Sequence, residues 1–167
     1  MCKSAIRFSS GFSTGCWPAD MLVRVLRILL GGVWLYAAYS KLKQPWLIFA
    51  MAIDAYHLLP EWAVLAVART LPWIELAIGI LLIGGVVLRY TSMASAAILA
   101  VFFAAMISAQ ARGLAIDCGC FGPGDALSRW TMLRDGALLS AAVALAWLSW
   151  RQAKQRYHAL NGSVAGL

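Results

Sequence analysis

Four long apolar runs limit what this 167-residue chain can fold into. Crossing a bilayer as a helix takes about 20 apolar residues. Runs close to that length fall at 22–40, 71–88, 91–111 and 136–150. Arg24 and Arg27 stand near the start of the first, where long side chains can snorkel to the headgroups. The second contains Glu75, the third carries no charge, and Trp147 and Trp150 flank the fourth as interfacial aromatics do. The first run is longer than the core of a signal peptide, and Tyr39-Ser40-Lys41 is a poor cleavage site, so it is a retained span.

Composition agrees. Only 13% of the residues are charged, against about a quarter in soluble domains. A formal charge of +7 raises nucleic acid as a partner, but the basic residues sit at the ends of apolar runs and form no basic patch. Gly31, Gly32, Gly79, Ser92, Ser95 and Ser140 let helices approach closely in lipid. The predicted fold is an all-α integral membrane bundle of four transmembrane helices. An interfacial helix is expected in the first outer loop, 44–70, where Trp46, Leu47, Phe49, Met51, Ile53 and Leu58 suit a membrane surface. Pro60 should end that helix, and Pro72 should bend or begin the second span.

Residues 1–20 hold Cys2 and Cys16 and read as a disordered tail or an over-extended start, because Met21 opens a natural membrane-protein beginning, Met-Leu-Val-Arg-Val-Leu-Arg. The membrane domain is 21–151, and 152–167 is a basic tail. Eight of the 14 Lys and Arg fall on the side of the N-terminus, including Arg89 and the tail after Trp150. By the positive-inside rule both termini are cytoplasmic, in an inner-membrane protein. The loop between spans three and four then faces the periplasm or cell exterior, where disulfides persist.

That loop carries Asp117-Cys118-Gly119-Cys120-Phe121-Gly122. Disulfide geometry needs Cα atoms within about 7 Å, which residues two apart reach only in a tight turn, and Gly119 accepts such a turn. A bridge across so small a ring is strained and oxidising. It is a poor staple, because closing a very short loop removes little chain entropy. Disulfide exchange by Cys118 and Cys120 is therefore the leading use, with Cys118 the expected attacking thiol. A static brace remains open. Zinc wants four ligands, more than this face offers beside His57. A transient Cu(I) site on two thiolates stays open because soft sulfur suits it.

Ionisable groups inside spans are functional candidates. Glu75, one turn inside the second run, and Lys41, at the outer end of the first, are expected to pair. The pair either clamps two helices, or relays protons and favours a nearby thiolate. Arg112 and Arg134 bracket the cysteine loop, with Asp117 and Asp135 as partners; they hold the loop, bias the thiols or simply snorkel. Tyr56 and His57 on the surface helix could contact a quinone ring or a partner protein, or be plain interfacial residues.

From Arg27 to Trp150 the chain resembles the MauE branch of the MauE/DoxX family of redox-associated membrane proteins. The resemblance rests on Leu30-Gly31-Gly32-Val33-Trp34, Ser40-Lys41, Pro45, Ala55-Tyr56, Leu59-Pro60, Leu71-Pro72-Trp73-Ile74-Glu75, Arg112-Gly113, the cysteine hexapeptide and Leu133-Arg134-Asp135. It implies a four-span protein needed to mature the disulfide-rich small subunit of periplasmic methylamine dehydrogenase, beside a membrane-anchored thioredoxin-like partner, MauD. DsbB-like and vitamin K reductase-like oxidases use two cysteine pairs, whereas this chain has one outward pair. The implied role is therefore a thiol-redox accessory. A non-catalytic scaffold or chaperone, and a small-molecule or metal transporter, are the rivals.

Overall fold

The computed structural model describes residues 17–114, 116–118 and 127–164. It contains α1 (Trp17–Leu42), α2 (Trp46–Asp54), α3 (Glu61–Gly84), α4 (Leu88–Ala111) and α5 (Arg129–Val164). Within them Met21–Leu42, Glu61–Gly84, Leu88–Ala111 and Arg129–Lys154 are long and apolar enough to cross a membrane. The protein is an all-α four-span membrane bundle. α1 packs chiefly on α3, and α4 on α5; α1 also meets α5, while α3 and α4 touch little.

One spacing organises the interior. Buried residues recur four, three, four and three apart: Leu30, Trp34, Ala37 and Lys41 on α1; Val64, Ala68, Leu71, Glu75, Ile78 and Leu82 on α3. On α5 the same stripe runs through Thr131, Asp135, Ala142, Leu145 and Ser149. This is the period at which antiparallel helices interdigitate at shallow angles. The opposite faces carry exposed apolar side chains such as Leu29, Ile80, Val101 and Val143, which suits lipid.

Small residues set how closely the helices approach. A Cβ built on Gly79 would lie 3.1 Å from the Gly31 carbonyl oxygen, and one on Gly31 would lie 3.1 Å from that of Gly79. The α1 and α3 backbones thus meet where neither has a side chain. Polar bonds tie the other pairs: Trp34 Nε1 donates to Ser95 Oγ at 2.8 Å, and the hydroxyls of Ser92 and Ser149 lie 3.1 Å apart. The guanidiniums of Arg89 and Arg151 stack 3.6 and 3.7 Å over the rings of Trp150 and Trp147, cation–π contacts that fasten this end of the bundle.

Helix boundaries differ from the sequence expectation in three places. Helix α2 stops at Asp54, and α3 begins at Glu61 after the Pro60 N-cap, so Pro72 lies within α3 and does not begin it. A proline within a membrane helix is tolerated where neighbouring groups satisfy the freed carbonyl. Phe49 and Ala50 of α2 pack on Val64, Ala68 and Leu71 of this added length. Glu75 consequently stands 14 residues, about 21 Å at 1.5 Å per residue, from the start of α3, not one turn inside it. Trp17–Asp20, assigned to the tail from sequence, are helical, and α5 continues through the basic segment to Val164. Cys2 and Cys16 lie outside the described residues.

Candidate functional site

Polar and reactive groups converge at the end of the bundle where α1 finishes, α4 finishes and α5 begins. Lys41 in the last turn of α1 donates from Nζ to both carboxylate oxygens of Glu75, at 2.9 and 3.1 Å. Each side chain is 3% exposed. A charge buried in this way is tolerated only with a partner of opposite sign and good geometry. Lys41 Nζ also lies 5.2 Å from the centre of the Phe49 ring, which covers it from the α2 side. The pairing expected from sequence is therefore present.

Cys118 leaves α4 on the short segment 116–118 and turns inward. It is 2% exposed, within a cluster of Tyr56, Met106 and Ala109. Its thiol donates to Asp135 Oδ2 at 3.5 Å and lies 3.9 Å from Met106 Sδ. The Tyr56 hydroxyl donates to the Cys118 carbonyl at 3.0 Å, and Arg112 Nη2 donates to the Tyr56 carbonyl at 2.6 Å. The loop is closed at its base where Leu127 N–H donates to the Ile116 carbonyl at 2.9 Å. A chain of bonds thus runs from Arg112 through Tyr56 to the cysteine backbone and fixes where the sulfur sits.

Asp135 holds the other side. Arg134 Nε donates to its Oδ1 at 3.0 Å and Nη2 to its Oδ2 at 3.5 Å, and Oδ2 also accepts from the thiol. A cavity of about 40 Å³ lies between Asp135, Lys41 and Glu75, with Trp34, Met106 and Leu138 among its walls. It exceeds the roughly 10–15 Å³ that one water needs, and its three ionisable groups supply the two to four partners that a water requires. Asp135 and the buried ion pair therefore border one small chamber, and the Cys118 thiol is joined to it through Asp135.

Several expectations change. Cys118, expected to be the more open thiol, is buried, because Tyr56 pins its backbone and Met106 covers its sulfur. Arg112 turns away from the suggested Asp117 towards the carbonyls of Tyr56 and Ser108. Arg134 and Asp135 do pair, but the aspartate also holds the thiol. Tyr56 is buried beneath the loop, whereas His57 is exposed. Asp117 is exposed beside the cluster. Cys120 lies outside the described residues. Sequence reasoning missed Met106 and the double role of Asp135. The stripe spacing on α5 could have found the latter, since it places an aspartate at an inward position.

Known proteins bear on what this site belongs to. The family model described as "Methylamine utilisation protein MauE" matches residues 19–148. A methylamine utilization protein MauE from Methylorubrum extorquens is 36% identical over 115 residues, covering 67% of this chain and 61% of that protein. Another from Paracoccus denitrificans is 34% identical over 129 residues, covering 75% of this chain and 69% of that protein. The chain thus spans less than two thirds of the first relative's length. No solved structure matches. The matched span takes in the first three membrane spans, most of the fourth and every residue lining the chamber, and by it the chain belongs to the MauE family.

Proposed function

We propose that this protein is a membrane thiol-redox accessory whose Cys118 and Cys120 exchange disulfides with an exported thioredoxin-like partner of the MauD type. It thereby supports disulfide formation in exported proteins, and the names of its relatives point to methylamine utilisation as the setting. The observation that carries the reading is the Cys118 thiol held 3.5 Å from a buried carboxylate oxygen, beside a chamber able to hold water. A thiol reacts as the thiolate, so it needs a proton acceptor at hand, and Asp135 is within reach of that proton.

Exchange balances without a further reagent. A thiolate attacks one sulfur of the partner's disulfide, and the other sulfur leaves as a thiolate that takes up a proton. The second cysteine then attacks the mixed disulfide; an S–S bond forms within the loop and the partner leaves as a dithiol. The same steps in reverse pass the loop's disulfide to the partner's dithiol, the direction that disulfide formation requires. Burial of Cys118 suits the second step, in which the attacked sulfur is already in the same loop. Cys120 is then the thiol that meets the partner. Lys41 and Glu75 face the Asp135 side of the chamber and hold the opposing charges among which a proton released there can settle.

The orientation belongs to the same reading. With both termini cytoplasmic, the cysteine loop lies on the exported side of the inner membrane. A membrane-impermeant thiol reagent should label the loop in intact, mildly reduced spheroplasts; labelling only after lysis would reverse the topology.

The scaffold reading keeps one observation of its own: the Tyr56–Cys118 bond braces the loop whatever the sulfur does. Combining Cys118→Ser with Cys120→Ser separates the two. Loss of maturation of the exported client, with the protein still folded in the membrane, supports exchange. Full maturation by the double-serine protein would leave only the scaffold.

A further inference from the structure

A second cavity, of about 410 Å³, has Cys118 in its wall. Phe49 of α2, Leu71 of α3, Val101 and Phe102 of α4, Tyr56 and Cys118 are among its walls, and no lining residue is charged. Its size falls in the range of about 300–1,000 Å³ typical of small-molecule sites. Apart from Cys118, its walls come from α2, α3 and α4 and from the segment that joins α2 to α3. Val101 in its wall is 71% exposed and sits midway along a membrane-spanning helix. The wall at Val101 therefore faces hydrocarbon, which gives the pocket a side within the bilayer.

We propose that this pocket binds a lipid-soluble quinone. The inference rests on the thiol-redox reading above and supplies what that reading lacks, a terminal electron carrier. Three requirements select the class. The walls offer nothing to a phosphate, which argues against nucleotide-bearing carriers such as flavins and nicotinamides. The thiol–disulfide couple moves two electrons and two protons, as a quinone does. Three aromatic rings, Phe49, Tyr56 and Phe102, offer faces to a flat head group. A saturated acyl chain would fill the same space but has no use for a cysteine in the wall or for a carboxylate across its sulfur. Oxidation balances with these partners alone. The thiols of Cys118 and Cys120 give up two protons and two electrons, one S–S bond forms, and the quinone becomes the quinol. Run in reverse, the same step reduces the disulfide.

The test uses the full chain in nanodiscs and an azido-benzoquinone with a ten-carbon tail as photoprobe. Labelled peptides should map to α2, to residues 55–59 and to the 97–105 stretch of α4. A tenfold excess of the unlabelled decyl benzoquinone should reduce labelling at least fivefold, and an equal excess of a decyl chain without the ring should not. Ala97→Trp and Ala105→Trp each place an indole in the pocket and should cut labelling about tenfold while helicity is kept. If either fails to fold, the competition arm decides on the unaltered protein. Labelling spread over all helices, or competition by the ringless chain, would overturn the proposal. The two readings fail separately. Labelling in the pocket with a Cys118–Cys120 redox state that ignores added quinone would sink the thiol reading and leave the pocket. Mixed disulfides with the partner but no pocket labelling would do the reverse.

Discussion

The two ends of this bundle follow the same inward stripe and fill it differently. Towards the Arg89 and Trp150 end, Val23, Leu30, Trp34, Ile78, Leu82, Ala142 and Leu145 make an apolar core, tied by the Ser92–Ser149 bond. Towards the cysteine loop the same stripe holds Lys41, Glu75 and Asp135, each 6% exposed or less. Apolar side chains at all these positions would give a bundle at least as stable, because replacing a buried ion pair with hydrophobic residues is often neutral or stabilising. The difference teaches that the cysteine end is built for something other than stability. A buried charge is costly, and three ionisable groups around one small chamber next to a thiol are a chemical arrangement.

Substitutions at the two ends should therefore behave differently, with the largest and coupled effects at the buried charges of the cysteine end and smaller, additive ones elsewhere. The largest effect is expected at the ion pair. Glu75→Gln leaves Lys41 buried and uncompensated and should cost about 3–5 kcal/mol, whereas Glu75→Gln with Lys41→Met should recover most of it. Unfolding of the single and double variants in detergent checks this; additive losses would mean that the two residues do not depend on each other.

Next comes the close approach of α1 and α3. Gly79→Ala puts a methyl group 2.8 Å from a Leu35 methyl and 3.1 Å from the Gly31 carbonyl oxygen, and should cost about 1–3 kcal/mol through overpacking. A neutral result would show that the interface gives more readily than its geometry suggests. Tyr56→Phe removes the donor to the Cys118 carbonyl and should cost about 1–2 kcal/mol, the penalty of a buried acceptor left unmet. Thiol labelling should also rise, as the loop is no longer pinned; unchanged labelling would mean that packing alone buries Cys118. The smallest effect belongs to the opposite end. Ser92→Ala breaks a hydroxyl pair worth about 0.6 kcal/mol, the average for such bonds between membrane helices. A loss as large as that at Glu75 would erase the contrast between the ends.

Most of the fold was legible because its signals are local. Length and hydropathy mark the spans, and two charges of opposite sign within apolar runs must find each other, as Lys41 and Glu75 do. The boundaries around Pro60 and Pro72 were harder. Both prolines can start a helix, and only packing of Phe49 and Ala50 against Val64 and Ala68 makes the first of them the true start. The site was legible in its members and not in its wiring. Met106 is an ordinary apolar residue until the loop folds its sulfur neighbour onto it. Tyr56 lies 62 residues from the carbonyl it holds, a separation no periodicity encodes. Asp135 follows Arg134, so the adjacent charge explains it too easily and hides its contact with Cys118.

The central claim is that Cys118 is the inner thiol of an exchanging pair and Asp135 its proton acceptor. Trapping of the mixed disulfide tests it most directly, with Cys118→Ser and Cys120→Ser made separately, the partner co-expressed and the membranes acid-quenched. Cys118→Ser should accumulate a covalent adduct through Cys120, reversible by reductant, because the resolving thiol is gone. Cys120→Ser should give none. The opposite pattern would make Cys118 the partner-facing thiol despite its burial, and no adduct from either variant would contradict the account.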